Sequence, residues 1–435
     1  MKTTKKKMSG AARPRALRIL TSILASGSLL VCSQLAAYAT TISADSTTIL
    51  RMREGTLGDH LFPLYEYLHV SATDAGSQGA VSVHLGGWGR VDLGDKSTDE
   101  RLEGDIQYGF ISYQSNKNNL ILNAGRQFVV EGVATERVDG LYMRSDLAAG
   151  FTAAAFIGAP VVTEPNFDGG EVIYGGRVAH TLPKYYSLGV SALRNEMNGD
   201  GLREEEGIDL WLRPTAQIDL TGRSSYNSLS SGWMEHAYTL TFAPTDAIRV
   251  SALLQQINYD DYFYHVTTSA LALTPGLLQP GEEVWKLGAS VGFNPGKNFG
   301  VTGEYQRFEY DIAGSANYYG ARAGFATANA FAAGLSVHRM DGDADELQYN
   351  QFRAWASQKF GPADVSLDLF DVYYDSSING RKNTWSLAAA AGYDFNPSLR
   401  VVADVDYVRS TDFDHELRGL VKVSYAFGFG KEGKE

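Results

Sequence analysis

The residues that could carry catalytic or metal chemistry are scattered along this chain without a recognisable spacing. Its eight histidines include no H-E-x-x-H pair, and no G-x-S-x-G segment surrounds a serine. The only cysteine is Cys32, and no C-x-x-C-H motif for covalent haem is present. Asp341–Glu346 begins like a calcium loop, but Glu346 stands where that loop requires glycine. We therefore expect no enzymatic activity and no metal or cofactor held by the chain itself.

Apolar residues instead recur at every second position within alternating segments, and small, polar or charged residues stand between them. In Trp285–Phe293, the apolar residues alternate with Lys286, Gly288, Ser290 and Gly292. Because successive side chains of a β-strand point to opposite faces, such a segment has one apolar and one polar face. In a membrane barrel the polar face lines a wet interior. The predicted pore-lining residues, of mixed sign, are Arg90, Asp92, Arg177, Asp209, Arg213, Asp219, Arg223, Arg249, Lys286, Glu304, Arg353, Lys359, Asp404 and Asp406.

The last alternating segment, Leu420–Phe429, has the clearest apolar face and is predicted to be the closing strand of a barrel. That face consists of Val421, Val423, Tyr425, Phe427 and Phe429. Four earlier segments also finish with an aromatic residue, one further residue and a proline, beginning at Phe242, Phe293, Phe360 and Phe395. Aromatic residues at one end of many strands form a ring once the strands close, as a bilayer interface favours.

The segments that connect the predicted strands are of two kinds. Six prolines lie in short turns, where a missing N–H costs no ladder hydrogen bond: Pro183, Pro214, Pro244, Pro295, Pro362 and Pro397. The other connections are longer and acidic: Asp95–Glu103, Pro160–Gly170, Asn195–Glu206, Tyr259–Glu283, Asp341–Glu346 and Ser410–Glu416. Short periplasmic turns and long extracellular loops are typical of outer-membrane barrels. We predict an all-β, antiparallel, up-and-down transmembrane barrel of about 20 strands (roughly 18–22), about fourteen of them after the Pro183 turn.

The N-terminus has the features of a secretory signal peptide. Seven basic residues accompany an apolar stretch from Ile19 to Leu35, and an A-x-A site places cleavage between Ala39 and Thr40. A membrane anchor or a lipoprotein at Cys32 fits less well, because small residues interrupt the stretch and Val31 precedes the cysteine. We predict residues 1–39 as a cleaved signal peptide, 40–63 as a periplasmic arm, a plug or a first strand, and 64–435 as the barrel.

The net charge of the chain and the width of the predicted barrel restrict the molecules with which the protein can associate. The net charge is −12, and cleavage after Ala39 would make it 31 − 50 = −19, which disfavours nucleic-acid binding. We expect a multi-pass barrel in the Gram-negative outer membrane, surrounded by lipid and inserted by the barrel assembly machinery. A barrel of about 20 strands is too wide for its own wall side chains to fill. Water, an infolded loop such as Tyr259–Glu283, or a partner protein must therefore occupy it.

Three stretches resemble porin-like outer-membrane barrels: Gly86–Leu93, Ala124–Gln127 and Val138–Leu141. More narrowly, the Trp88-Gly89-Arg90 segment is similar to barrels of metal-reducing bacteria. Some of those barrels form the sheath of porin–cytochrome conduits, in which a multihaem c-type cytochrome threads the barrel. The resemblance implies a channel, and we favour the cytochrome sheath narrowly over a passive diffusion porin for small hydrophilic solutes or ions. We reason that a passive porin would show an infolded constriction bearing clustered charge.

Overall fold

The computed structural model describes residues 41–54, 58–76, 79–161, 171–262, 281–296 and 298–430. Within them, 23 antiparallel strands form one sheet. The strands are β1 (Thr41–Glu54), β2 (His60–Leu61), β3 (Pro63–Gly76), β4 (Gly79–Asp92), β5 (Leu102–Ser115), β6 (Leu120–Glu131), β7 (Ala134–Asp146), β8 (Phe151–Pro160), β9 (Glu171–Leu182), β10 (Tyr186–Met197), β11 (Asp200–Thr215), β12 (Ile218–Asn227), β13 (Gly232–Thr245), β14 (Ile248–Asn258), β15 (Glu283–Phe293), β16 (Phe299–Tyr310), β17 (Gly314–Ala326), β18 (Phe331–Gly342), β19 (Gln348–Phe360), β20 (Ala363–Ile378), β21 (Arg381–Asn396), β22 (Leu399–Arg409) and β23 (Glu416–Gly430).

The sheet closes on itself between its first and last strands. β23 pairs with β1 in 13 consecutive residue pairs, from Thr41↔Gly430 to Arg53↔Arg418. β2 is a two-residue bridge on the end of β1, so the barrel wall has 22 strands. This confirms the predicted fold class at the upper end of its range, with fourteen strands from β10 onward.

The structure describes only part of the N-terminal segments that were predicted from the sequence. Residues 41–54, which the sequence left open as an arm, a plug or a first strand, are the barrel strand β1. The predicted signal peptide and the cleavage site between Ala39 and Thr40 lie outside the described residues, as does the side chain of Phe429.

The outer face of the wall is apolar and bounded by aromatic residues. At the end with short turns, which also carries Thr41 and Gly430, Phe242, Phe293, Phe360 and Phe395 are exposed. At the opposite end, Trp285, Tyr305, Tyr319 and Tyr373 are exposed. Eight residues separate Trp285 from Phe293, which corresponds to roughly 20 Å along the barrel axis at a rise of ~3.4 Å and a tilt of ~40°. That height suits the apolar band of an outer-membrane barrel, about 25 Å.

The prolines mark one end of the barrel, as predicted. Pro214 and Pro244 lie within the last residues of β11 and β13, where the strand pairing shifts register just before the turn. At such irregularities a proline removes no ladder hydrogen bond. We call this the turn end and the other the loop end.

One predicted loop is instead a tight hairpin. Asn195–Glu206 forms the adjoining ends of β10 and β11, joined by Asn198 and Gly199 with φ values of 54° and 91°. Two successive positive φ values are the geometry of a type I′ turn, which Asn-Gly favours. The acidic residues that suggested a loop pair across the hairpin, since Arg194 contacts both Glu196 and Glu204.

In the residues that the structure describes, helical segments are short, at most four residues. The helix α1 (Tyr259–Tyr262) follows β14, and 3₁₀ turns occur at Ala148–Gly150 and Asp345–Leu347. No helix in the described part of the chain is long and apolar enough to cross a membrane. In the Asp341–Glu346 loop, the main-chain N–H and the hydroxyl of Ser315 donate to Asp343 at 2.6 and 3.1 Å, and these bonds lower the pKa of its carboxyl. The Asp343 carboxylate thus connects the Asp341–Glu346 loop to β17.

Candidate functional site: the barrel interior

The inner face of the wall carries a ladder of cross-strand ion pairs. Arg177 on β9 donates twice to Asp209 on β11, at 2.8 and 2.5 Å. Arg213 contacts Asp219 at 2.8 Å. These contacts join four of the predicted pore-lining residues. All four lie on the inner face of their strands, and the exposed apolar side chains of the same strands lie on the outer face.

Other predicted residues pair with partners that the sequence did not single out. Arg223 contacts Glu235 at 2.5 Å, and Arg353 contacts Asp368 at 2.5 Å. Glu304 contacts the buried ring of His338 at 2.8 Å. The strand register places the remaining predicted residues on the same inner face: Arg249 opposite Gly292, Lys286 opposite Phe308, Lys359 opposite Asp364, Asp404 opposite Leu420, and Asp406 opposite Arg418.

Arg90 and Asp92 have a different environment from the rest of the set. They are only 4% and 1% exposed, because the loop after β4 folds over them. Arg90 donates to the hydroxyl of Thr98 and to the carbonyl oxygen of Glu100, and Asp92 accepts from the N–H and hydroxyl of Ser97 at 2.9 and 2.8 Å. This pair anchors a loop and has little contact with interior water.

The main feature that the sequence did not predict is the β6–β7 hairpin. Pairing of β6 with β5 stops at Arg126, and pairing of β7 with β8 stops at Val138. Between these points β6 and β7 pair only with each other, up to Glu131↔Ala134. Residues 127–137 therefore leave the wall, and we call them the inner hairpin.

The inner hairpin packs on the interior side of the wall through an apolar cluster. Val129, Ala134 and Val138 of β6 and β7 meet Phe156, Ile173 and Leu193 on the inner faces of β8, β9 and β10, and each is at most 4% exposed. Burial of these side chains is the main force that holds the hairpin inside, since each large apolar side chain contributes about 1.5–3 kcal/mol. The neighbouring Val133 and Tyr142 complete the cluster.

Polar contacts fix the tip of the inner hairpin against the wall. The main-chain N–H of Val133 donates to Ser191 Oγ on β10 at 3.0 Å. Arg203 on β11 forms ion pairs with Glu136 of the hairpin and with Glu205 of its own strand. The side chain of Val133 lies over Gly207, where any Cβ would lie 2.3 Å from it. Glycine at that position therefore allows the close approach.

A cavity of about 380 Å³ lies between the tip and the wall. Its charged lining residues are Arg203, Glu205, Asp209, Arg223 and Glu235. Adding their ion-pair partners Arg177 and Glu136 gives three cations and four anions, a net charge of 3 − 4 = −1. The hairpin thus forms one side of a charged cleft, and the other side is the inner face of β10–β13.

A family model and several solved structures are similar to this chain. A family model described as Gram-negative porin matches residues 255–412. A search of curated proteins finds no match. Similar solved structures include OccAB4 of Acinetobacter baumannii (10% identity, TM-score 0.45, covering 89% of this chain and 97% of that one) and OccAB2 of the same organism (7%, 0.46, 89% and 98%). OccK8 (OprE) of Pseudomonas aeruginosa is another (10%, 0.43, 89% and 98%). With its porin match and its closed wall of 22 strands, the chain is a porin-like β-barrel of the Gram-negative outer membrane.

Proposed function

We propose that this protein is a passive channel for small hydrophilic solutes, with its constriction at the inner hairpin and a weak preference for cations. The observation that carries the proposal is the inner hairpin itself. It occupies part of the interior, and the ion pairs beside it give the adjoining wall a charged, polar surface for water and solute. An infolded constriction with clustered charge is the feature by which we distinguish a porin from a sheath.

The cytochrome sheath, which we favoured narrowly from the sequence, fits this interior less well than a passive porin does. A sheath must leave its lumen free for a folded partner, whereas the apolar cluster fixes the hairpin against β8–β10. The ion pairs of the wall are also satisfied within the chain, as at Arg177–Asp209 and Arg353–Asp368. A partner that used them would first have to break them, which costs the existing hydrogen bonds.

Purification and bilayer recording separate the two functions. The protein, extracted in mild detergent, should contain no haem-staining partner and should show steady open conductance in planar bilayers. A haem protein that co-purifies, with conductance only after its removal, would establish the sheath instead.

The cation preference has its own test at the constriction. Replacing Asp209→Asn and Glu235→Gln changes the charge of the cavity group from −1 to +1, so the reversal potential in a salt gradient should change sign toward anions. The matched control is Glu309→Gln with Asp375→Asn. These carboxylates are also paired with arginines, Arg307 and Arg339, but they lie on the outer face of the wall. An equal shift in both double variants would show that the constriction does not set the selectivity.

A further inference from the structure

A strip of aromatic side chains lies on the inner face of β3, β4 and β5, and we call it the aromatic track. Its members come from three neighbouring strands: Tyr65, Tyr67, His69, Trp88, Tyr108 and Phe110. Nearest the loop end, the ring of Tyr65 stacks on Tyr67 with centroids 6.2 Å apart and lies 6.4 Å from Trp88. Nearer the turn end, the rings of His69 and Tyr108 are 5.6 Å apart.

The track extends over four successive levels of the wall. Beyond Tyr108, the ring of Phe110 follows at 6.0 Å and stacks on His84 at 4.8 Å. His84 lies opposite Ser71, which is six residues from Tyr65 along β3. That separation corresponds to roughly 15 Å along the barrel axis at a rise of ~3.4 Å and a tilt of ~40°.

The strand register and the side-chain contacts place the track beside the inner hairpin. Trp88 lies directly opposite Asp105 on β5, and Asp105 contacts Arg137 of the inner hairpin at 3.0 Å. The ring of Tyr108 lies over Gly86, where any Cβ would be 2.4 Å from it. A solute that passes the inner hairpin therefore passes the track.

The rings of the track combine apolar faces with polar edges. None of the six is buried, although the interior of such a barrel is wet. Five of the six carry a polar atom, which is a tyrosine hydroxyl, an indole N–H or an imidazole nitrogen. A strip of uncovered apolar surface with a polar rim is typical of a ligand-binding groove.

The charged groups beside the track are already paired. The carboxylate of Asp45 contacts the ring of His69 at 3.1 Å, and Asp105 contacts one arginine each from β6 and β7. The guanidinium of Arg51 lies 5.3 Å from the centre of the Tyr65 ring. Because they are paired, these groups offer hydrogen bonds to a solute and little free charge. The track thus suits a neutral solute with an apolar face and many hydroxyls at its edge.

We propose that the aromatic track binds linear, neutral oligosaccharides and guides them past the inner hairpin. This inference rests on the proposed channel function and names one class of its solutes. A sugar ring presents C–H groups on one face, which stack on the negative face of an aromatic ring, and its hydroxyls reach the polar groups beside the track. Rings at successive levels let a sugar chain exchange one contact for the next.

Current recordings of the unmodified protein in planar bilayers test the proposal. Maltohexaose should interrupt the open current reversibly, whereas sorbitol, which has hydroxyls but no ring, should not do so at the same mass concentration. Open current that maltohexaose leaves uninterrupted would overturn sugar binding alone, and a complete absence of current would overturn the channel function as well. Interruption by benzoate and not by maltohexaose would show that the track binds aromatic solutes, which also overturns the proposal.

A double variant tests whether the track is the sugar site. Tyr67→Ala with Tyr108→Ala should raise the maltohexaose concentration that halves the current by at least about tenfold, because two stacking partners are lost. The matched control is Tyr318→Ala with Tyr349→Ala. These two tyrosines lie opposite Met340 on the inner face of β17 and β19, and their loss should leave that concentration unchanged.

An equal rise in both double variants would show that the sugar binds elsewhere, and it would overturn the proposal. A comparison of boiled and unboiled samples on a gel shows whether each variant folds. If the track variant does not fold, Tyr67→Leu replaces it, since leucine keeps an apolar side chain but removes the ring. An unchanged half-blocking concentration in Tyr67→Leu would then overturn the proposal.

Discussion

At the scale of single residues, Gly132 determines how closely the inner hairpin approaches the wall. Its φ is 62°, and a Cβ there would lie 2.1 Å from Ser191 Oγ, the atom that accepts the hydrogen bond from Val133. Both the backbone conformation and the available space therefore require glycine.

Replacing Gly132 with alanine should displace the hairpin tip from β10 and break the Val133–Ser191 hydrogen bond. We expect noisier single-channel currents with frequent brief steps, and a local loss of about 1 kcal/mol from the hydrogen bond. The control is Gly361→Ala, whose φ is 60° but whose Cβ would meet nothing within 4 Å. If both variants leave the current equally quiet, the tip contact does not hold the hairpin.

The loop between β22 and β23 should resist acid. Asp414 accepts a hydrogen bond from Arg381 at 2.6 Å, and the positive charge of that arginine lowers the pKa of the Asp414 carboxyl. A lowered pKa means that the contact stabilises the loop above the ordinary aspartate pKa of about 4 and is lost only as the pH falls below it. A spin label at Thr411 should keep the same mobility from pH 7 to about pH 5 and loosen below about pH 4. In Arg381→Gln the label should be mobile throughout.

For single residues, the sequence predicted the strand face on which a side chain lies better than it predicted the residues that the side chain contacts. Alternation alone placed Arg177, Asp209 and Arg353 on one face, because the two-residue period of a strand leaves no other choice. It could not show that Arg90 and Asp92 are covered by a loop, since that depends on how residues 97–100 of the following connection fold back over β4.

At the scale of elements, the inner hairpin shows that the alternating pattern can stop before the strand does. β6 alternates over Leu120, Leu122 and Ala124, but the three central residues of Gln127–Glu131 are all apolar, and this part of β6 lies inside the barrel. The sequence of the neighbouring strand β8 also contains a signal for the inner hairpin. In Ala153–Ile157 of β8 both faces are apolar, including the inward-facing Phe156. A strand that is apolar on both faces needs a second apolar layer, which here is the hairpin.

Deleting Leu420–Phe429 should prevent assembly, because β23 supplies the ladder for both β22 and β1. Without it, two strands present unpaired backbone groups to lipid. Deletion of the charged residues 431–435 should be tolerated. Membrane levels of folded protein after each deletion provide the measurement, and a normal level of the first variant would contradict the closing role of β23.

At the scale of the whole molecule, stability rests on closure. In the described wall every strand pairs on both sides, although the loop-end half of β5 has no partner on one side where the inner hairpin leaves the wall. Such a barrel should stay folded in SDS until boiled, since closure leaves only this short stretch of unpaired edge. Boiled and unboiled samples should therefore migrate differently on a gel. Identical migration, with recovery of the protein in the soluble periplasmic fraction, would contradict the barrel in the membrane.

The pairing of Thr41 with Gly430 also sets the order of events during biogenesis. The two residues are 430 − 41 = 389 positions apart, so the contact that completes the wall has one of the largest sequence separations this chain permits. Contacts of this kind form slowly, because loop-closure entropy must be overcome before they contribute any energy. The ring cannot be completed before Gly430 has been synthesised, and a chain that lacks β23 keeps two long unpaired edges, on β1 and β22. We therefore expect a chain truncated before β23 to be an aggregation hazard and not a smaller pore.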